Sequence, residues 1–157
     1  MGRGKQLLLT LTLFAALLLS VYAYVRNAVN KLVLKPVDTR VKKPSFDDIV
    51  ALTLYGEQDF SISNPNSFGI TANEVSLTFT LDDGNKLGTV SKTSDLAIPA
   101  GGQATLTVPF TLNMASAGIA VFNALQSGAV VTVAGYVRFF TFFRLDINQI
   151  LTIKVKV

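Results

Sequence analysis

The sequence predicts a mainly β protein, an antiparallel β-sandwich of about seven strands with one short helix, preceded by an N-terminal transmembrane helix. An uncharged apolar run covers residues 7–25, and a helix of that length can cross a bilayer. Apolar and polar residues then alternate through much of residues 46–157, as they do in half-buried strands. Clusters of Gly, Pro and Asn divide this region into short, regularly spaced strands, which is typical of a sandwich.

Residues 1–26 are interpreted as a membrane anchor that stays in the mature protein. Tyr22 and Tyr24 suit the boundary between membrane and water. A cleaved signal peptide is the alternative, because Leu7–Leu19 has the length of its apolar region and Val21–Ala23 provides a cleavage site. We favour the anchor because the apolar run continues beyond that site.

The net charge of +4 is unevenly distributed. Residues 1–45 carry most of the basic side chains, whereas residues 46–157 have six Lys and Arg against nine Asp and Glu, a net charge of −3. A nucleic-acid partner is excluded because binding would require a basic face on the folded part. We expect a single-pass protein of the cell membrane with an extracytoplasmic domain, because long folded domains are translocated despite their charge. In the alternative topology, Lys31–Lys43 would lie against anionic lipid inside the cell.

The residue types that most enzymes use are missing. The chain has no Cys and no His, which excludes disulfides, Ser-His-Asp triads, Cys-His pairs and the usual zinc sites. Asp82 and Asp83 are adjacent, so on a strand they would face opposite ways, and a turn explains them better. Asp47 and Asp48 are assigned to a solvated loop or a strand start. We expect no catalytic residue, no metal and no cofactor.

The first part of the folded region combines a connector with two strands. Residues 27–45 form a basic connector that includes a candidate first strand at Lys31–Val37. The next strand contains Gly56, which indicates a bulge or bend. Its apolar positions alternate, which predicts one buried face: Val50, Leu52, Leu54, Phe60 and Ile62.

The remaining elements follow from turn residues and spacing. Val75–Leu81 begins a hairpin whose turn is Asp82–Asn85. A second turn at Pro99–Gly102 leads to a strand in which Pro109 indicates an edge position or a bulge. Residues 115–128 have helical spacing. The apolar positions of that helix are Ile119, Val121, Phe122 and Leu125, and Gly128 is its predicted C-terminal cap. The last two strands are predicted at residues 129–142 and 147–157.

One short segment, Asn64-Pro65-Asn66, interrupts two strand-like runs. Pro65 ends the hydrogen-bonded ladder and keeps the preceding residue extended. Both asparagine side chains can bond to nearby main chain, and Asn66 is predicted to have a positive φ. The segment is interpreted as a structural corner and not as a ligand site.

Together these motifs resemble the second group of late embryogenesis abundant proteins, whose domain is also called the water stress and hypersensitive response (WHy) domain. The resemblance covers about residues 31–157. The matching positions are Asn64-Pro65-Asn66, Gly84, Gly88, Pro99–Gly102 and Val108-Pro109. It implies a fibronectin- or immunoglobulin-like sandwich with one helix, no enzymatic activity, and protection during desiccation or other stress. Some anchored relatives of this family are suggested to hold lipid.

The most unusual stretch is residues 136–145, YVRFFTFFRL. As one strand, it has an aromatic and basic face that is our candidate binding surface: Tyr136, Arg138, Phe140, Phe142 and Arg144. The opposite face would carry Val137, Phe139, Phe143 and Leu145. Either both faces are covered, or an exposed aromatic patch marks a surface for lipid, membrane or self-association.

These observations predict a non-enzymatic, membrane-anchored stress-protection domain. One alternative is a lipid- or protein-binding module that uses the aromatic strand or the space between the sheets. Another is a self-assembling structural subunit of the cell envelope, joined to neighbouring copies by strand addition. The expected partners are membrane lipids, with other proteins or further copies of the chain under the two alternatives.

Overall fold

The computed structural model describes residues 3–115 and 127–153. These residues form two helices and seven strands. The helices are α1 (Arg3–Asn30) and α2 (Phe46–Val50). The strands are β1 (Val33–Val41), β2 (Thr53–Ser63), β3 (Ile70–Leu81), β4 (Lys86–Ile98), β5 (Gln103–Asn113), β6 (Ala129–Phe139) and β7 (Phe143–Ile153). The predicted helix of residues 115–128 falls almost entirely outside the described residues, although Gly128, its predicted cap, has a φ of 102°.

The strands form two antiparallel sheets, which confirms the predicted sandwich. One sheet has the order β1-β2-β5 and the other β4-β3-β6-β7. Alternate residues of both sheets face each other and are buried, as period-two patterns require. Across the interface the rings of Phe79 and Phe110 lie 4.9 Å apart. Pro109 lies on β5, an edge strand of its sheet, so the predicted edge position is confirmed.

Gly56 does not mark a bulge, which was one of the two features predicted for it. The pairing of β2 with β5 is continuous from Thr53 to Ser63. Gly56 instead faces the core, where an added Cβ atom would lie 2.4 Å from Cζ of Phe110 and 2.6 Å from the carbonyl oxygen of Arg40. Glycine is therefore needed at this position for close packing.

A short helix, α2, stands where the sequence predicted a loop or strand start. The Ser45 hydroxyl accepts a hydrogen bond from the Asp48 amide at 3.2 Å, and Asp48 accepts one from the Ser45 amide at 2.8 Å. This reciprocal capping box stabilises the first turn of a helix. The hydrogen bonds from the Ser45 hydroxyl and amide lower the pKa of Asp48. Val50 is consequently exposed in α2 and is not the first buried position of a strand.

The β3–β4 turn agrees with the prediction for Asp82–Asn85. Gly84 has a φ of 87°, and the Asp83 carboxylate accepts hydrogen bonds from the amide and side chain of Asn85 at 2.9 and 2.8 Å. The Leu81 amide donates a hydrogen bond to the Asn85 carbonyl at 2.9 Å, which closes the turn. Asp83 therefore serves the turn, as expected, and Asp82 is exposed beside it.

Helix α1 has two parts with different surroundings. Over Lys5–Asn30 it is long and apolar enough to cross a membrane, because its most apolar 18 residues have a mean hydropathy of 2.1 and none of them is buried. Anchors and signal sequences share this length and composition. Its last turn, in contrast, packs into the sandwich, where Ala28 and Val29 are buried together with Leu32, which follows the helix. The apolar helix therefore continues directly into the core of the domain.

Candidate functional site

The two segments singled out in the sequence lie at the same end of the sandwich, beside the last turns of α1. The corner after β2 reaches the helix through Phe68, whose ring stacks on Tyr24 with centroids 5.7 Å apart. The turn between β6 and β7 reaches it through Phe143, whose ring lies 5.2 Å from that of Tyr22. We call this region the helix-proximal end. Its two parts are far apart in the chain, so sequence patterns gave no sign that they meet.

Asn64 organises the corner from a buried position. Its side chain is only 1% exposed. The amide nitrogen donates to the carbonyls of Phe68 at 2.8 Å and Pro99 at 3.1 Å, with a longer contact to Ile98 at 3.4 Å. Its Oδ1 accepts hydrogen bonds from the main chain and side chain of Asn66 at 3.1 and 2.8 Å. The corner is thus held by side-chain bonds to main chain, in agreement with the sequence interpretation.

Asn66 has a different role from the one predicted. It does not have a positive φ; among the described non-glycine residues only Leu52, Phe140 and Thr141 do. Its side-chain nitrogen instead donates to the carbonyl of Ala28 at 2.9 Å. That carbonyl belongs to the last turn of α1, where carbonyls lack the usual i+4 partner, and it also accepts a hydrogen bond from the Lys31 amide at 3.2 Å. Asn66 therefore caps α1 and joins it to the corner after Pro65.

The aromatic stretch is not one continuous strand. β6 ends at Phe139 and β7 begins at Phe143, and the turn between them contains Phe140 with a φ of 49° and Thr141 with a φ of 67°. The predicted single face of five residues is therefore wrong for Phe140 and Phe142, which lie in the turn. Bulky residues form this turn, so it carried no Gly or Pro signal that a sequence pattern could reveal.

Three of the five predicted binding residues do share an outer face of the four-stranded sheet, in a network with two acids. Glu74 accepts a hydrogen bond from the Tyr136 hydroxyl at 3.0 Å and pairs with Arg138 at 3.0 Å. The Arg144 guanidinium lies 4.6 Å from the centre of the Tyr136 ring and pairs with Asp146 at 2.7 Å. Both arginines are thus partly neutralised within the protein.

The two predicted aromatic binding residues have different environments. Phe140 is half-buried and packs against the core, whereas the side chain of Phe142 is 84% exposed. Two hydrogen bonds hold the turn. The Phe140 amide donates to the carbonyl of Thr71 at 3.3 Å, and the Thr141 amide donates to Asn73 Oδ1 at 3.0 Å. Phe142 is therefore an exposed apolar tip on a tethered turn.

Polar and basic groups surround this tip. Arg26, Asn30 and Arg144 line a hollow between α1 and the β6–β7 turn, and Tyr22 and Phe142 complete its wall. On the other side of α1, the corner and Lys31 line a second hollow. The helix-proximal end thus combines an exposed aromatic ring with three basic side chains.

An ion cluster on the three-stranded sheet escaped the sequence analysis. Arg40 of β1 pairs with Asp59 of β2 at 2.6 Å, with Asp38 at 3.1 Å and with Glu57 at 3.2 Å. Asp59 also accepts a hydrogen bond from Thr107 of β5 at 2.7 Å. The bonds from Arg40, followed by that from Thr107, lower the pKa of Asp59. The hydrogen bonds to Asp59, then Glu57 and Asp38, raise the pKa of Arg40. The cluster joins three strands, which is a structural role.

The described residues contain no group of three or more acidic side chains that could hold a metal ion. The acids with identified partners serve the turn, the helix cap or the ion pairs described above. The helix-proximal end therefore offers a surface of aromatic and basic side chains.

Fold and surface together define a small β-sandwich domain carried on an apolar helix. The profile of the LEA_2 family, described as late embryogenesis abundant protein, matches residues 59–150. This is more than half of the chain, and the protein therefore belongs to that family. No curated protein matched the sequence.

Solved structures share the sandwich at low sequence identity. A crystal structure of a protein from Archaeoglobus fulgidus aligns with a TM-score of 0.52 and 10% identity over 78% of this chain and 99% of that one. A solution structure of a protein from Arabidopsis thaliana aligns with a TM-score of 0.51 and 15% identity over 77% and 81% of the two chains. At these identities the similarity shows the fold alone.

Proposed function

We propose that this LEA_2 protein is a non-enzymatic, membrane-anchored stress-protection domain of the WHy type, which acts at the membrane surface during desiccation or related stress. The observation that carries the proposal is the continuity of α1 with the family domain. The last turn of the apolar helix contributes Ala28 and Val29 to the same core as the strands. Under this proposal, the packing holds the domain at a fixed distance from the membrane in which α1 is inserted.

Retention of the whole helix is supported by its length and its contacts. The helix has 28 residues, and about 20 apolar residues cross a bilayer. Cleavage after Ala23 would remove Tyr22 and its contact with Phe143. It would also leave a short helical remnant, from Tyr24 to Asn30, packed against the domain. A single-pass protein with an extracytoplasmic domain is the arrangement that we propose.

The absence of enzymatic activity is part of the proposal. His and Cys are missing from the whole sequence, so the common nucleophile and base pairs cannot be assembled. Of the two exposed acids at the β3–β4 turn, Asp83 is used by the turn itself. Protection would then arise from the domain's surface and from its position beside the membrane.

Two measurements test this function. Intact mass of the protein from the membrane fraction should show a chain that starts at residue 1 or 2, and a start at Tyr24 would contradict the anchor. Vesicles that carry the full chain should retain more encapsulated dye through drying and rehydration than vesicles that carry a peptide of residues 1–26. Equal dye retention would contradict a protective role for the domain.

Lipid binding by the domain is the second candidate function. The specific observation in its favour is the exposure of the Phe142 side chain beside α1, because exposed aromatic groups near a membrane anchor are suited to lipid contact.

A further inference from the structure

We propose that the helix-proximal end of the sandwich docks on the bilayer that holds α1, with the Phe142 ring inserted among the lipids and Arg26, Lys31 and Arg144 facing anionic headgroups. This inference rests on the proposed membrane anchoring of α1, and it adds a second contact with the membrane and a fixed orientation of the domain. The partner is an anionic phospholipid surface.

The length of α1 sets the depth of the helix-proximal end. Lys5 and Arg26 bracket the uncharged part of the helix. At about 1.5 Å per residue, the two lie about 31 Å apart along the axis, which matches a hydrocarbon layer of about 30 Å. The membrane boundary therefore lies close to Arg26, and Tyr22 lies about one turn deeper.

The β6–β7 turn lies at this level. Tyr22 contacts Phe143 with ring centroids 5.2 Å apart, and Phe142 lines the same hollow as Tyr22 and Arg26. Because α1 is packed into the core at Ala28, the turn cannot lie far from the headgroups when the helix spans the membrane.

The chemistry of the turn suits the membrane boundary. Its Phe142 side chain is 84% exposed, which leaves a large apolar ring in water unless another phase covers it. Phe140 and Thr141 have positive φ values, a conformation that is costly for bulky residues. The turn is nevertheless held by hydrogen bonds that the Phe140 and Thr141 amides donate to the Thr71 carbonyl and to Asn73 Oδ1. Aromatic side chains are enriched at membrane boundaries.

Charge complementarity selects lipid as the occupant. Arg26 of α1 and Lys31, which directly follows the helix, are exposed and line different hollows. Neither forms an ion pair within residues 3–115 and 127–153. Arg144 is also exposed, and among the described residues its one ion pair is with the exposed Asp146. Basic residues near an anionic membrane surface contribute about 1 kcal/mol each, so an anionic bilayer should bind this end more strongly than a neutral one.

The absence of tryptophan from the chain allows a direct test with single tryptophan probes. The variant Phe142→Trp places the probe at the tip. The matched control is Phe46→Trp, because Phe46 is 78% exposed but lies in α2, at the end of the sandwich away from α1. A third variant, Phe14→Trp, places the probe near the middle of the apolar helix. Each full-length protein is reconstituted into phosphatidylcholine vesicles with and without phosphatidylglycerol.

The expected result is a depth profile. Fluorescence of Phe142→Trp should be blue-shifted relative to Phe46→Trp and quenched several-fold more strongly by lipids that carry the quencher near the headgroup, with a larger effect in the anionic vesicles. Phe14→Trp should be quenched by lipids labelled at the chain ends, which establishes the anchor independently of the tip.

If Phe14→Trp is quenched but Phe142→Trp behaves like Phe46→Trp, docking is refuted and the anchor stands. If Phe14→Trp is not quenched, the anchor and the docking both fail. A blue shift that appears only at high protein density without lipid quenching would assign the tip to a second copy and refute the lipid proposal.

Discussion

Replacing Asn64 with alanine should destabilise the domain more than any other single change in the corner. The side chain is 1% exposed and makes four hydrogen bonds of ordinary length, two as donor to Phe68 and Pro99 and two as acceptor from Asn66. Each such bond contributes about 1 kcal/mol net, and a buried group left without a partner costs about 1–3 kcal/mol. The expected loss is therefore about 3–5 kcal/mol, since some of the freed groups can reach water.

Thermal unfolding of the full chain in lipid nanodiscs, followed by the circular dichroism of the strands, measures this effect. A loss of that size corresponds to a decrease in Tm on the order of 10–15 °C for a domain of this size. Asn148→Ala is the matched control, because Asn148 is exposed on β7 and should change stability by less than about 0.5 kcal/mol. If Asn64→Ala and Asn148→Ala unfold at the same temperature, the hydrogen bonds of the corner do not stabilise the fold and our reasoning is refuted.

A second substitution at the same position tests the direction of the hydrogen bonds. Asn64→Asp keeps the acceptor for Asn66 but turns a carboxylate oxygen towards the carbonyls of Phe68 and Pro99. The charged form of the new carboxyl is disfavoured there, so its pKa in the folded state is expected to rise above that in the unfolded chain. The folded state then binds more protons, and the variant should lose stability as pH rises through the folded pKa. A variant whose Tm is independent of pH would contradict the assigned orientation of the amide.

Three further predictions concern packing, the helix cap and the ion cluster. Gly56→Ala should cost about 3 kcal/mol, because its Cβ would overlap Phe110; an unchanged Tm would contradict this packing. Asn66→Gly should lower stability by about 1–2 kcal/mol in the same assay, since it removes the cap on α1, whereas a neutral effect would favour a purely conformational role. Because the pKa of Asp59 is lowered, chiefly by Arg40, its carboxylate stabilises the fold above about pH 4 and this contribution is lost as pH falls. A plot of Tm against pH should therefore be flatter below that pH for Asp59→Asn than for the native chain, and parallel curves would show that the pair is not stabilising.

Local patterns were sufficient to predict most elements of the fold. The uncharged run of residues 7–25 predicted a helix because only its length and composition are needed. Alternating residues such as Val75, Leu77 and Phe79 predicted a buried face because side chains alternate along any strand. The turn at Asp82–Asn85 was predictable from residues that readily adopt turn geometry.

Two errors arose where a local signal was weak or absent. The helix α2 has only five residues, which is too short for a periodic pattern, although Ser45 and Asp48 provided a capping-box signal. The β6–β7 turn is made of Phe and Thr at positive φ, so no Gly or Pro marked it and the strand pattern continued through it. The predicted shared face of Phe140 and Phe142 was lost for this reason.

By itself, the sequence determined the membrane-length helix, the period-two strands and the absence of His and Cys chemistry, because these depend on composition and on neighbours in the chain. The tertiary structure alone decided which distant segments meet. Asn66 caps Ala28 from 38 positions away, and Thr107 bonds to Asp59 across 48 positions, so neither contact leaves a local pattern. The same holds for the β6–β7 turn, which reaches α1 only because the order β4-β3-β6-β7 places β7 at the sheet edge beside the helix. The position of a surface beside the apolar helix is set by how the sheets pack against that helix, and this packing joins residues that no periodicity connects.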